Sequence, residues 1–190
     1  MFENKFEKAI IKLARLAIQE QLTGKKLIDK QEWIHNFPEL AKKQAVFVTI
    51  NKLDGKRKSL RGCIGSLTPY RSLIDDIIQN ARAAAFSDPR FPPLQPQEFN
   101  QIYLEVSLLS LPEKVIYTSI DELKNIIKPG KHGLVLKHSG RRASFLPQVW
   151  KELPDFDLFF KYLCRKAGLP DNCLDYKPEI EIYEVKEIKE

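Results

Sequence analysis

The sequence contains no apolar run of the ~18 residues that a membrane-spanning helix needs, so no span and no membrane partner are expected. Its first residues, MFENKFEKAI, mix charges of both signs with apolar side chains and lack the apolar core of a secretion signal. A soluble cytoplasmic protein is the expectation. Cysteine is scarce: Cys63, Cys164 and Cys173, an odd number without a CxxC pair. That argues against a disulfide framework and against a structural zinc site. His35, His132 and His138 are scattered, at no metal-ligand spacing. No metal and no cofactor are expected. There is also no internal repeat, no GxGxxG and no Walker pattern, so a nucleotide-binding α/β fold has little support.

What is present is enough for a folded core. The 190 residues are 43% hydrophobic, the size of one ordinary domain over 1–190, with room for a small second lobe. The net charge of +6 lies wholly in residues 1–60, where 13 Lys or Arg face 7 Asp or Glu. It concentrates in KLDGKRKSLR, residues 52–61. Such a tip either meets phosphate or an acidic partner, or is a solvated turn whose cations blunt a strand edge.

Apolar residues at helical spacing (Phe2, Phe6, Ala9, Ile10, Leu13, Ala17, Ile18) predict a first helix stopped by Gly24. AVFVTINKL, the Asp54-Gly55 dipeptide and the following residues to Leu67 predict a hairpin. A helix with Thr68 as cap and Pro69 at its first position should follow, with its apolar stripe on Ile74, Ile77, Ile78, Ala81 and Ala85. SDPRFPPLQPQEF packs four prolines together and is the best candidate boundary between lobes. IYLEVSLLSL reads as a strand, SIDEL as a helix start capped by Ser119, residues 134–148 as two strands around Ser139-Gly140, and 156–167 as a helix capped by Asp155. EIEIYEVKEI closes the chain as a strand. Together these give an α+β fold, a mainly antiparallel sheet flanked by helices, compact, in two unequal lobes.

The chemistry concentrates in SLRGCIGSL, residues 59–67. Alternation puts Leu60, Gly62 and Ile64 on one face of the strand and Arg61, Cys63 and Gly65 on the other. A guanidinium beside a thiol favours the thiolate, the form a nucleophile needs. Gly62 and Gly65 either let a ligand approach the main chain or mark a bulge. The alternative for Cys63 is an inert, buried thiol. Glu105 stands mid-strand between Tyr103 and Ser107, so it either faces solvent or pairs with Arg61 in a cleft. Asp88 initiates a turn, and Arg90 on the proline loop is a candidate anion binder. His132, in the turn GKHG, is a candidate general base or a solvent histidine, and Gln148 presents an amide at a strand end. Cys164 belongs to a core stripe and Cys173 has no partner pattern.

LRGCIGSL, ARAAAFSDPRFPPL, LEVSLLSLPEKV, HGLVLKHSGRRASFLPQV and LCRKAGLP, in this order, resemble the AMMECR family over roughly residues 45–185. The resemblance implies a compact α+β fold of two unequal lobes with a cleft near the hexapeptide LRGCIG. By motif it carries Arg61, Gly62, Cys63, Gly65, Asp88, Arg90, Glu105, His132 and Gln148 into a functional site. It implies component A of a prokaryotic three-gene set, with Memo-like and radical-SAM proteins as partners, but no settled reaction. Two classes of function stay open. One is an enzyme or enzyme component whose cleft holds an anionic small molecule, with Cys63, His132 and Glu105 as catalytic groups. The other is a non-catalytic binding or adaptor module for nucleic acid or a protein.

Overall fold

The computed structural model of the protein describes residues 2–54 and 57–190, with side chains from Lys5 onward except Asp54. The expected Asp54-Gly55 turn lies outside the described residues. In chain order the elements are α1 (Phe2–Thr23), α2 (Lys30–Asn36), β1 (Val46–Asp54), β2 (Arg57–Gly65), α3 (Leu73–Phe86), β3 (Ile102–Leu109), β4 (Glu113–Val115), α4 (Ile120–Ile126), β5 (Gly133–His138), β6 (Arg141–Phe145), α5 (Phe156–Lys166), β7 (Glu179–Tyr183) and β8 (Val185–Lys189). The fold is α+β, but its strands form two sheets, ordered β2-β1-β3-β8 and β4-β7-β5-β6, where the sequence suggested one. Every pairing with a described register is antiparallel. No helix among the described residues is long and apolar enough to cross a membrane.

The chain divides at Leu109/Ser110, with Lys186–Glu190 returning to the first unit. The proline-rich loop is therefore not the boundary. It belongs to the first unit, where Leu94 is buried and its N–H bonds the Ala85 carbonyl at 2.8 Å. The closing strand also divides, between Tyr183 and Val185: β7 pairs in the second sheet and β8 in the first.

In the first unit α1 and α3 lie on one face of the sheet. Ile10, Leu13, Ile74, Ile77, Val48, Ile50, Leu104 and Val106 fill the interior with 0–1% exposure. Each such aliphatic side chain contributes about 1.5–3 kcal/mol by leaving water. Gly24, at φ +69°, ends α1 as expected. The expected cap of α3 is displaced, because Ser72 and not Thr68 accepts the N–H of Asp75. The stretch before it is irregular and bends at residues 67, 68 and 71, and its end is held by a Lys43–Ser72 bridge and by the Leu73 N–H on the Lys42 carbonyl. A buried polar knot ties α3 to the strands. Asp76 accepts the Val46 N–H and the Ser66 hydroxyl, each at 2.8 Å, and Asn80 donates to the Val46 carbonyl at 3.1 Å.

In the second unit Trp150 stacks on Phe159 at 3.6 Å, amid Leu134, Leu136, Phe160 and Leu163. Cys164 is core, as expected, but it is also bonded to Cys173 in a disulfide. Cysteine count and compartment do not expose this pairing, because it depends on the chain reversing after α5 and bringing both sulfurs into the same apolar interior.

Candidate functional site

The face of the first sheet turned away from α1 and α3 carries the odd-numbered residues of β1 and β3. Phe47, Thr49, Asn51, Tyr103, Glu105 and Ser107 are all half-buried, while Val46, Val48, Ile50, Ile102, Leu104, Val106 and Leu108 between and beside them are buried. Thr49 pairs with Cys63 on one side and with Glu105 on the other, so three strands bring a thiol, a hydroxyl and a carboxylate into one row. The Thr49 hydroxyl donates to the Cys63 sulfur at 3.2 Å. Cys63 is half-buried and is the free cysteine of the described residues.

A β-bulge redirects the residues before Cys63. Ile50 pairs with Gly62 but Asn51 pairs with Leu60, so Arg61 is the extra residue. Leu60 therefore moves to the face of Asn51 and is 42% exposed, against the expectation that it shares a face with Gly62. Arg61 is nine-tenths buried, and its guanidinium makes a two-pronged pair with Glu98, at 2.9 and 3.0 Å. The expected Arg61–Glu105 pair does not form. Glu105 pairs with Lys58 at 3.5 Å, and the Lys58 ammonium also sits 3.4 Å from the Tyr103 ring centre. The hydrogen bond from Arg61 holds the Glu98 carboxyl down at about 2.

The glycines are explained by packing rather than by ligand approach. A Cβ on Gly62 would stand 2.1 Å from the Ala84 carbonyl oxygen, so β2 lies directly against the backbone of α3. A Cβ on Gly65 would stand 2.2 Å from the Phe47 ring. Both Cβ positions are occupied by the chain itself, so packing alone accounts for the two glycines.

β2 is an edge strand, and the DPRF loop covers its exposed backbone groups at Cys63. Asp88, 4% exposed, accepts the Cys63 N–H at 2.8 Å, while Arg90 donates to the Cys63 carbonyl at 3.2 Å. Arg90 also grips Asp88 through Nε at 2.9 Å and Nη2 at 2.7 Å. This carboxylate and guanidinium mimic a neighbouring strand, satisfying one donor and one acceptor that an edge would leave open. The Arg90 contacts hold the Asp88 carboxyl far below the usual carboxylate range. Arg90 is thus charge-compensated inside the chain, which weakens it as an anion binder, although its side chain stays 53% exposed.

His132 and Gln148 belong to the second unit. His132 is 7% exposed, not the solvent-facing turn residue or free base the sequence allowed. Its Nδ1 accepts the Lys128 N–H at 3.2 Å, and its carbonyl accepts from the Trp150 indole at 2.9 Å. Burial pushes its imidazole below the ordinary value, toward the neutral form. Gln148 is exposed on the short 3-10 turn Pro147–Lys151.

Sequence reasoning missed Thr49 and Glu98, and it read Lys58 as part of the basic tip and not as the partner of Glu105. Thr49 was legible as one of the alternating polar positions of VFVTIN, and Glu98 as the third residue of a turn opened by Pro96. No group of three His, Cys, Asp or Glu among the described residues is placed to hold a metal ion.

A family model described as AMMECR1 matches residues 11–188. The chain belongs to the AMMECR1 family. A protein of Methanothermobacter thermautotrophicus is 38% identical over 178 residues, covering 93% of this chain and 88% of that protein. One from Thermofilum pendens is 41% identical over 170 residues, covering 86% and 79%. Among solved structures, the uncharacterized protein PH0010 from Pyrococcus horikoshii superposes with a TM-score of 0.73 at 36% identity, covering 94% of this chain and 88% of that one. None of these names states an activity, so the AMMECR1 assignment gives fold and kinship, and the chemistry has to be argued from the site.

Proposed function

We propose that this AMMECR1-family chain is an enzyme or enzyme component that holds its substrate on the polar face of the first sheet, with the Cys63 thiol as the reacting group. The observation that carries the reading is the hydrogen bond from the Thr49 hydroxyl to the Cys63 sulfur, at a residue whose N–H and carbonyl are both fastened by Asp88 and Arg90. A hydroxyl donor stabilises negative charge on sulfur, and a fixed backbone keeps the thiol in one place. Glu105 lies two strands from Cys63, about 9–10 Å by ordinary strand spacing. That is too far to take the thiol proton directly, so its role is to bind substrate together with Lys58. Arg90, compensated by Asp88, offers hydrogen bonds to an anionic group more than net charge.

A second reading, a binding module without chemistry, is favoured by the commitments of the charged groups. Arg61, Arg90 and Glu105 each have an ion-pair partner within the chain. On that reading Cys63 only shapes the surface, and the partner is a protein such as the Memo-like or radical-SAM components the resemblance implies. The basic 52–61 segment gives nucleic acid less support than its composition suggested, because Lys58 and Arg61 are both paired with carboxylates. Replacing the chromosomal gene by one encoding Cys63→Ser separates the readings. Loss of the cellular phenotype despite normal protein levels supports chemistry at the thiol; full function of the Cys63→Ser protein leaves the binding module.

A further inference from the structure

A second feature of the first unit is unconnected with Cys63. A cavity of about 420 Å³ lies between α1 and α2, lined by Lys5, Lys8 and Lys12 on one side and by Trp33, Asn36 and Phe37 on the other. That volume falls within the range of small-molecule sites. The three lysines recur at i, i+3 and i+7, so they share one stripe of α1 spanning about 10 Å along the axis. All three are exposed and none has a carboxylate partner within the described residues. Glu7, on the same helix, pairs instead with Lys186. Three like charges on one stripe repel one another, and an anion laid along them relieves that repulsion.

The opposite wall is aromatic. Trp33 is half-buried and lies 6.4 Å from the Phe37 ring, which lies 5.9 Å from Phe6, so the indole is held by its neighbours. Ala9 and Leu16 give the cavity apolar lining, and Glu32 and Asn36 bring a carboxylate and an amide from α2. A flat ring has a surface to stack on, and polar groups stand beside it to accept from hydroxyls or read a ring edge. A row of cations spread along a helix suits a chain of phosphates better than a single carboxylate. The geometry points to a nucleotide site, with the base against Trp33 and the phosphates along Lys5, Lys8 and Lys12. The ligand chemistry is shared by free nucleotides and by residues of a single-stranded RNA.

The test is titration of the full-length protein with ATP, adenosine, pyrophosphate and a short oligoadenylate, followed by calorimetry and tryptophan fluorescence, at about 50 mM salt. The second tryptophan, Trp150, is 3% exposed with its indole N–H bonded inside the second unit, so a quench that Trp33→Leu removes reports this cavity. The inference expects ATP or oligoadenylate to bind and quench, with adenosine and pyrophosphate each weaker. Lys8→Gln/Lys12→Gln and Trp33→Leu should each weaken binding by about ten-fold or more. Tighter binding of ATP than of oligoadenylate identifies the free nucleotide as the source, and the reverse order identifies the strand. Cys63→Ser should bind like the parent, which keeps this result independent of the proposed thiol chemistry. No binding of either at about 1 mM overturns the inference. So does binding that survives the lysine replacements, or pyrophosphate binding as tightly as ATP.

Discussion

Asp88→Ala should be among the most damaging substitutions in the first unit, although Asp88 sits in a loop. Its carboxylate accepts from the Cys63 N–H, the Arg90 N–H, and Arg90 Nε and Nη2. The Arg90 side chain is 53% exposed, so water largely replaces its share. The Cys63 N–H is different, since it lies on a part-buried edge and loses a charged acceptor; such a loss costs about 1.5–3 kcal/mol. The expected loss is therefore about 1.5–3 kcal/mol, read as a lower urea midpoint by circular dichroism. Hydrogen exchange adds a local readout, with amides of residues 57–65 exchanging faster in Asp88→Ala. Arg90→Ala should lower the midpoint less than Asp88→Ala, because Asp88 keeps its bond to Cys63. The sign with pH follows from the depressed Asp88 carboxyl. Its contribution is complete above the unfolded value of about 4 and is lost as pH falls below it toward the folded value. A destabilisation of Asp88→Ala below about 1 kcal/mol, with unchanged exchange over 57–65, would refute the reasoning that this carboxylate stands in for a missing strand.

Three further outcomes follow from the same geometry. Gly62→Ala puts a methyl against the Ala84 carbonyl, which is backbone and cannot rotate away, so a loss of about 3 kcal/mol or failure to fold is expected in denaturation and expression assays. Glu98, held at about 2 by Arg61, stabilises the fold fully above about 4.5 and progressively less as pH falls toward 2. Glu98→Gln should therefore flatten that part of the acid-denaturation profile. The Cys164–Cys173 bond, with a sequence separation of 9, is worth about 2–3 kcal/mol to the second unit. The Cys164→Ala/Cys173→Ala protein should melt lower, and reduction of the parent should reproduce the shift.

Periodicity made most of the elements legible. The stripes of α1, α3 and α5 and the alternation of β3 follow directly from which residues leave water. The two-sheet architecture was not legible, because EIEIYEVKEI reads as one strand and its division between sheets depends on long-range pairing. The candidate site was legible as a set of unusual residues and not as a geometry. Arg61 was placed beside Cys63 by simple alternation, and a bulge of one residue broke that pairing. Glu98 and Lys58 took the partners that Arg61 and Glu105 were expected to find in each other. Gly62 and Gly65 were rightly suspected of marking a close approach, but what approaches is the Ala84 backbone and the Phe47 ring. Local spacing cannot identify such neighbours, since Ala84 lies 22 positions from Gly62 on another element.

The most direct test of the proposed role of Cys63 is its alkylation rate by iodoacetamide in the native, unreduced protein, compared with Thr49→Val. The account predicts that Cys63 alone is labelled, Cys164 and Cys173 being joined, and that Thr49→Val, which removes the hydroxyl donor to the sulfur, is labelled several-fold more slowly. A Cys63 that reacts only after unfolding, or one that reacts in Thr49→Val as fast as in the parent, would contradict it.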